Sequence, residues 1–176
     1  MSIALLSLGS NVDPETHLRV AIAALRARFD DVVVSDVYRF PAVGYTGPDF
    51  LNAAATVRTD LSPEALNDWL HALEDAHGRD RSGPRYSDRT LDIDIVLFDD
   101  DTSRSGAGSP GSGPGQALRI PRDELRHAFV LRPAAEIAPD WRHPANGTPL
   151  ARLWESHADR DTVFEQVEGF DAGAAV

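Results

Sequence analysis

The chain of 176 residues has no cysteine and no lysine. The first absence rules out disulfides, thiolate chemistry and the usual structural zinc sites, and is compatible with a cytoplasmic setting. The second means that no GxxxxGK[ST] phosphate loop exists: all 17 basic residues are arginine. Any phosphate recognition must rest on arginine, histidine, backbone amides or a metal. Long apolar runs are missing too; none approaches the roughly 20 residues that span a bilayer. The opening Met1-Ser2-Ile3-Ala4-Leu5-Leu6 has no basic leader and runs into Gly9-Ser10-Asn11, so it reads as a first strand rather than a signal peptide. A net charge of −11 argues against a duplex nucleic-acid binder, which needs a basic face. No internal repeat is found. The length fits one domain, placed at residues 1–170, with a disordered tail expected at 170–176.

What is there centres on the run from Asp88 to Phe98. From Leu91 onward apolar and polar residues alternate with the period of a half-buried strand. Leu91, Ile93, Ile95 and Leu97 fall on one face, Asp92 and Asp94 on the other. The two aspartate Cα atoms are then about 6.6 Å apart, at a strand rise of about 3.3 Å per residue. Carboxylates at that spacing can flank a pair of hard cations. Just upstream stand Arg79, Arg81, Arg85 and Arg89, whose guanidinium forks match phosphate oxygens. Either feature alone also fits a solvated surface; side by side they point to a nucleotide triphosphate site.

Taken in order, residues 3–8 read as a strand. Asp13 is placed as the cap of a helix with Pro14 at its first position and Leu18, Ile22, Leu25 and Phe29 on its buried stripe. A second strand is expected from Val32 to Tyr38. A proline- and glycine-rich loop at 40–49 is long enough to serve as a lid. In the third strand, 50–59, Phe50, Asn52 and Ala54 share a face on which a flat heterocycle could stack and hydrogen-bond; a core phenylalanine and a turn asparagine would look the same. Ser62 caps a second helix with Leu66, Leu70 and Leu73 inward, His71 and Glu74 neighbouring on its surface, and Gly78 as its stop. The Gly/Ser/Pro-rich segment 99–116 reads as a flexible insertion and 118–121 as an edge strand. Short helices are expected at 133–137 and 148–157. The order strand–helix–strand–strand–helix–strand predicts an α+β, ferredoxin-like split βαβ core. Its antiparallel-rich sheet carries helices packed on it, a three-layer αβα arrangement.

The residues Leu8-Gly9-Ser10-Asn11, Tyr38-Arg39-Phe40-Pro41, Asp49-Phe50-Leu51-Asn52-Ala53-Ala54, Leu73-Glu74 with Gly78-Arg79, Asp88-Arg89-Thr90-Leu91-Asp92-Ile93-Asp94-Ile95, Ala128-Phe129-Val130-Leu131 and Glu136-Ile137-Ala138-Pro139 resemble the 6-hydroxymethyl-7,8-dihydropterin pyrophosphokinases over about residues 3–155. The resemblance implies transfer of pyrophosphate from ATP to the hydroxymethyl group of the reduced pterin, releasing AMP, with ATP as co-substrate and two Mg²⁺ ions on Asp92 and Asp94. It implies Arg79 and Arg89 beside those aspartates as catalytic groups. Nucleotide contacts are implied at His71, Glu74, Arg81, Arg85, Tyr86, Ile95, Arg122 and His127. Pterin contacts are implied at Gly9, Phe40, Pro41, Val43, Phe50, Asn52 and Phe129. Loops 42–49 and 79–88 are expected to close over the site and exclude water. A cytoplasmic monomer acting on small molecules, without nucleic-acid or membrane partners, is the matching expectation.

The chain departs from that pattern in places. Arg122 stands where the family commonly has histidine, and His127, preceded by Arg126, stands for an arginine in a segment one residue shorter. Tyr86-Ser87-Asp88-Arg89 replaces an aromatic followed by Gly-Pro-Arg. A changed nucleotide-site geometry with retained activity is expected. The competing readings are a non-catalytic pterin- or nucleotide-binding paralogue and a ferredoxin-like RNA-binding or regulatory module.

Overall fold

The computed structural model describes residues 1–79, 82, 88–98 and 123–170. The elements are β1 (Ser2–Ser10), α1 (Pro14–Arg28), β2 (Asp30–Val34), β3 (Val37–Phe40), β4 (Phe50–Thr59), α2 (Pro63–Ala76), β5 (Asp92–Phe98), a 3-10 turn (Asp123–Arg126), α3 (Ala128–Ile137), α4 (Leu150–Glu155) and β6 (Gln166–Val167). The insertion expected at 99–116, the edge strand at 118–121 and the tail beyond 170 lie outside the described residues.

The sheet runs β5-β1-β4-β3-β6, with β2 also on β4, and its pairings are antiparallel. With β2 and β3 together taking the second-strand position, this is the ferredoxin-like order that the sequence predicts. One sheet face presents Ala4, Leu6, Leu8, Leu51, Ala53, Ala55, Val57, Ile93 and Ile95 to Leu18, Ile22 and Leu25 of α1 and Leu66 and Leu70 of α2. The other packs Leu5, Ala54, Val96 and Leu97 against Leu125, Val130, Leu131 and Leu150 of the later segments. Burial on both faces, at roughly 25 cal/mol per Å² of apolar surface, drives the three-layer arrangement. Among the described residues no helix is long and apolar enough to cross a membrane.

Several local expectations are corrected. Leu97 does not share a face with Ile93 and Ile95. Leu6 pairs with Ile95 but Leu5 with Leu97, so Val96 is an extra residue in a bulge, and the alternation flips beyond it. The second strand is two strands, interrupted where Ser35 Oγ, rather than a carbonyl, accepts the Ala54 N–H at 2.8 Å. Asp13 adopts a left-handed conformation and makes no side-chain cap; Ser62 does cap α2, accepting the Ala65 N–H at 3.1 Å. α3 begins at Ala128, five residues before the expected start, with Pro133 inside it. Pro133 there forgoes one intrahelical hydrogen bond, while Val130, Leu131, Ala134 and Ala135 are buried at helical spacing.

Candidate active site

The small residues Ser7 and Gly9 of β1 form the floor of a cavity of about 260 Å³ on the sheet face opposite α1 and α2. Gly9 pairs with Asn52 on one side and Asp92 on the other; Ser7 pairs likewise with Ala54 and Asp94. An amide and a carboxylate thus face the same space from backbones two strands apart, about 10 Å at ordinary strand spacing. The N-terminal part of α3 and the turn before it close the cavity from above, through Glu124, Arg126, His127, Phe129 and Val130.

At one end stand Asn52, Phe50, Phe129, Pro41 and Val43, all expected pterin contacts and all lining the cavity. Asn52 is 5% exposed. Among the described residues its amide nitrogen reaches only the Leu8 carbonyl, at 3.4 Å, and its buried Oδ1 has no hydrogen-bond partner. An unpaired buried acceptor costs about 1–3 kcal/mol, so this atom fits a ligand N–H. Gly9 is required beneath it: a Cβ there would stand 2.7 Å from Asn52 Nδ2. Phe40 is the exception among the expected pterin contacts. It is 3% exposed, packed 4.5 Å from the Phe164 ring and edge-on to Phe129, and does not line the cavity. It supports Phe129 from behind. His127 lies parallel to Phe129 at 5.1 Å. Burial, with the positive charge of Arg126, holds the His127 pKa below its usual 6.5.

Asp92, Asp94 and Arg89 line the other end. Arg89 Nη1 donates to Asp92 Oδ2 at 2.8 Å, and Arg79 Nη2 lies 3.6 Å from Asp92 Oδ1. The Arg79 side chain is 11% exposed, and among the described residues its buried Nε and Nη1 have no acceptor. A guanidinium with two orphaned N–H groups beside a shared carboxylate fits an incoming anion. Among the described residues there is no group of three or more His, Asp or Glu able to cage a metal. Two hard carboxylates nevertheless match Mg²⁺, which keeps several waters and is commonly bound through one or two carboxylates plus substrate phosphates. The donor set fits Mg²⁺ arriving with a triphosphate and does not fit an all-protein site.

The remaining expected contacts separate. Glu74, read as a surface neighbour of His71, is 2% exposed. It falls four residues after Leu70 on the buried stripe, and its Oε1 accepts the Ile93 N–H at 2.7 Å, fixing the strand that carries both aspartates. His71 does not line the cavity. Ile95 is fully buried between the sheet and the first two helices, on the face turned away from the cavity. Arg81, Arg85, Tyr86 and Arg122 lie outside the described residues.

Tyr45, from the loop expected to close over the site, and Arg126, from the altered nucleotide segment, also line the cavity, as do Ser7, Val96, Asp123, Glu124 and Val130, which were not assigned to it from sequence. Strand alternation from Gly9 would have found Ser7. Tyr45 lies in the loop read as a lid, but its bond to Asp88, 43 residues on, has no local signal.

The family model described as 7,8-dihydro-6-hydroxymethylpterin-pyrophosphokinase matches residues 5–139. A Synechocystis protein named 2-amino-4-hydroxy-6-hydroxymethyldihydropteridine pyrophosphokinase is 34% identical over 98% of this chain and 85% of its own length. The Bacillus subtilis protein of the same name is 32% identical over 97% of this chain and 95% of its own. Among solved structures, Plasmodium falciparum HPPK-DHPS with SDX-DHP superposes with a TM-score of 0.64 at 13% identity, covering 91% of this chain. That likeness shows the fold, and this chain spans only 44% of that longer one.

Proposed function

The chain belongs to the 7,8-dihydro-6-hydroxymethylpterin-pyrophosphokinase family, and on that premise we propose that it transfers pyrophosphate from ATP to 6-hydroxymethyl-7,8-dihydropterin, a step of folate biosynthesis. The hydroxymethyl oxygen bonds to Pβ, the bond from Pβ to the oxygen bridging it to Pα breaks, AMP leaves with that oxygen, and the hydroxyl proton passes to solvent. The observation that carries this reading is one cavity with an orphaned buried amide oxygen, Asn52 Oδ1, at one end and Asp92, Asp94 and Arg89 at the other.

Asn52 accepts a hydrogen bond from the pterin edge, and Phe50 and Phe129 contact the ring, fixing the hydroxymethyl group toward the aspartates. Arg79 and Arg89 bind phosphate oxygens, and the charge they contribute lowers the barrier most where negative charge builds up on the transferring group. Mg²⁺ held by Asp92 and Asp94, two ions in this reading, supplies further charge neutralisation and alignment of the triphosphate. The protein's part is positioning two substrates in line rather than covalent chemistry.

Incubation with ATP, Mg²⁺ and the dihydropterin alcohol tests the reading. Pterin-dependent AMP is the expected product; ADP, or nucleotide turnover indifferent to the pterin, would contradict it.

A further inference from the structure

Tyr45 and Arg89, which both line the cavity, are joined by a set of contacts that the reaction itself does not use. Asn11 is 4% exposed, and its Oδ1 accepts the Arg89 backbone N–H at 2.7 Å. Its Nδ2 is 2.9 Å from Tyr45 Oη, 3.0 Å from Asp88 Oδ1 and 3.1 Å from the Pro48 carbonyl. Tyr45 Oη closes the triangle by donating to Asp88 Oδ1 at 3.1 Å. Tyr45 also lines the cavity. Gly47 gives these groups room: a Cβ there would stand 2.5 Å from Tyr45 Cε2 and 2.9 Å from Asp88 Oδ1. From the next residue, the Arg89 guanidinium bonds Asp92 at 2.8 Å.

We infer that Tyr45 and Asp88 are positioning residues, a latch whose hydrogen bond, shared with Asn11, couples the 41–49 loop at the pterin end to Arg89 at the phosphate end. The latch belongs to this chain's own sequence: where the family pattern reads Gly-Pro-Arg, a proline has no side-chain acceptor, and here Asp88 provides one. Burial and the bond to Asp88 raise the Tyr45 pKa above its usual 10.0, so the hydroxyl keeps the proton it donates. Pterin drawing the 41–49 loop inward thereby favours one placement of Arg89. By linkage, a triphosphate that fixes Arg89 tightens pterin binding by the same factor.

This inference rests on the proposed pyrophosphokinase activity, and its test separates the two. Affinity for the dihydropterin alcohol is measured with and without α,β-methylene-ATP and Mg²⁺ for the unaltered chain, Tyr45→Phe, Asp88→Ala, Asp88→Asn and the Tyr45→Phe/Asp88→Ala pair, with thermal melts alongside. In the unaltered chain the analogue should tighten pterin binding about tenfold, within the usual range for coupled sites. Tyr45→Phe and Asp88→Ala should each bring that factor close to one, and the pair no lower. Asp88→Asn, whose amide oxygen accepts the same bonds, should retain it. An undiminished factor in Tyr45→Phe and Asp88→Ala, or equal weakening of both ligands at constant factor, would mean that the contacts only support the fold. Absence of coupling in the unaltered chain would also overturn the latch while leaving the activity standing. If the unaltered chain binds the analogue and no pterin, the activity and the latch both fall.

Discussion

Asn52 shows how much one side chain can report. Its Oδ1 is buried and, among the described residues, unpaired while its neighbours on β4 pack the core, an arrangement that an unliganded fold gains nothing from. Asn52→Ala should therefore leave the fold intact and weaken pterin binding by about 1–3 kcal/mol, roughly five- to 150-fold. Unchanged pterin affinity in a titration would make the residue structural. Asp92→Asn and Asp94→Asn should lower kcat by several kcal/mol of transition-state stabilisation with little change in melting temperature; turnover at the unaltered rate in either would remove the metal-holding role. His127 supplies a pH signature. Its folded pKa is depressed by burial, then by Arg126, with His157 adding to the effect and Glu124 opposing it. The unfolded chain thus takes up this proton first, near pH 6.5. The stabilisation is whole above that value and is lost as pH falls through the folded pKa. Denaturant unfolding at about pH 7.5 and 5.5 should show a smaller acid loss for His127→Gln than for the unaltered chain; equal losses would contradict this.

At the scale of elements, β5 was the most readable and also the most instructive. Its alternation places Asp92 and Asp94 on the cavity face correctly, because registers across Gly9 and Ser7 obey the two-residue period. The period then breaks at Val96, since a bulge depends on the partner strand and leaves no mark in the strand's own pattern. Glu74 escaped for a related reason. On sequence it is a charged residue beside a leucine stripe; in the fold it occupies the stripe, because an unpaired Ile93 N–H needs an acceptor there. Glu74→Leu should cost about 1–3 kcal/mol of stability by stranding that donor, read as a lower urea midpoint. Equal midpoints would show the Ile93 amide satisfied elsewhere. The α3 boundary was missed because Pro133 resembles a helix start, whereas apolar burial on both sides of it holds a longer helix together.

Across the whole molecule, topology was legible because β1, α1, β4, α2 and β5 each carry a signal of their own, even though β2 and β3 read as a single strand. The covering layer was less so: its contribution to the site comes from Arg126, His127 and Phe129, brought over β1 and β4 only by packing of the second core. The cavity joins three strands, two loops and the start of α3, and no single segment specifies it. In the proposed function, a pterin end and a phosphate end joined in one cavity are what direct pyrophosphoryl transfer requires. The most direct test is a crystal structure with α,β-methylene-ATP, Mg²⁺ and the dihydropterin alcohol bound together. Asn52 Oδ1 should accept from the pterin, with Asp92 and Asp94 turned to metal on the triphosphate. A complex in which both carboxylates point away from the phosphates, or the pterin sits elsewhere, would contradict the account.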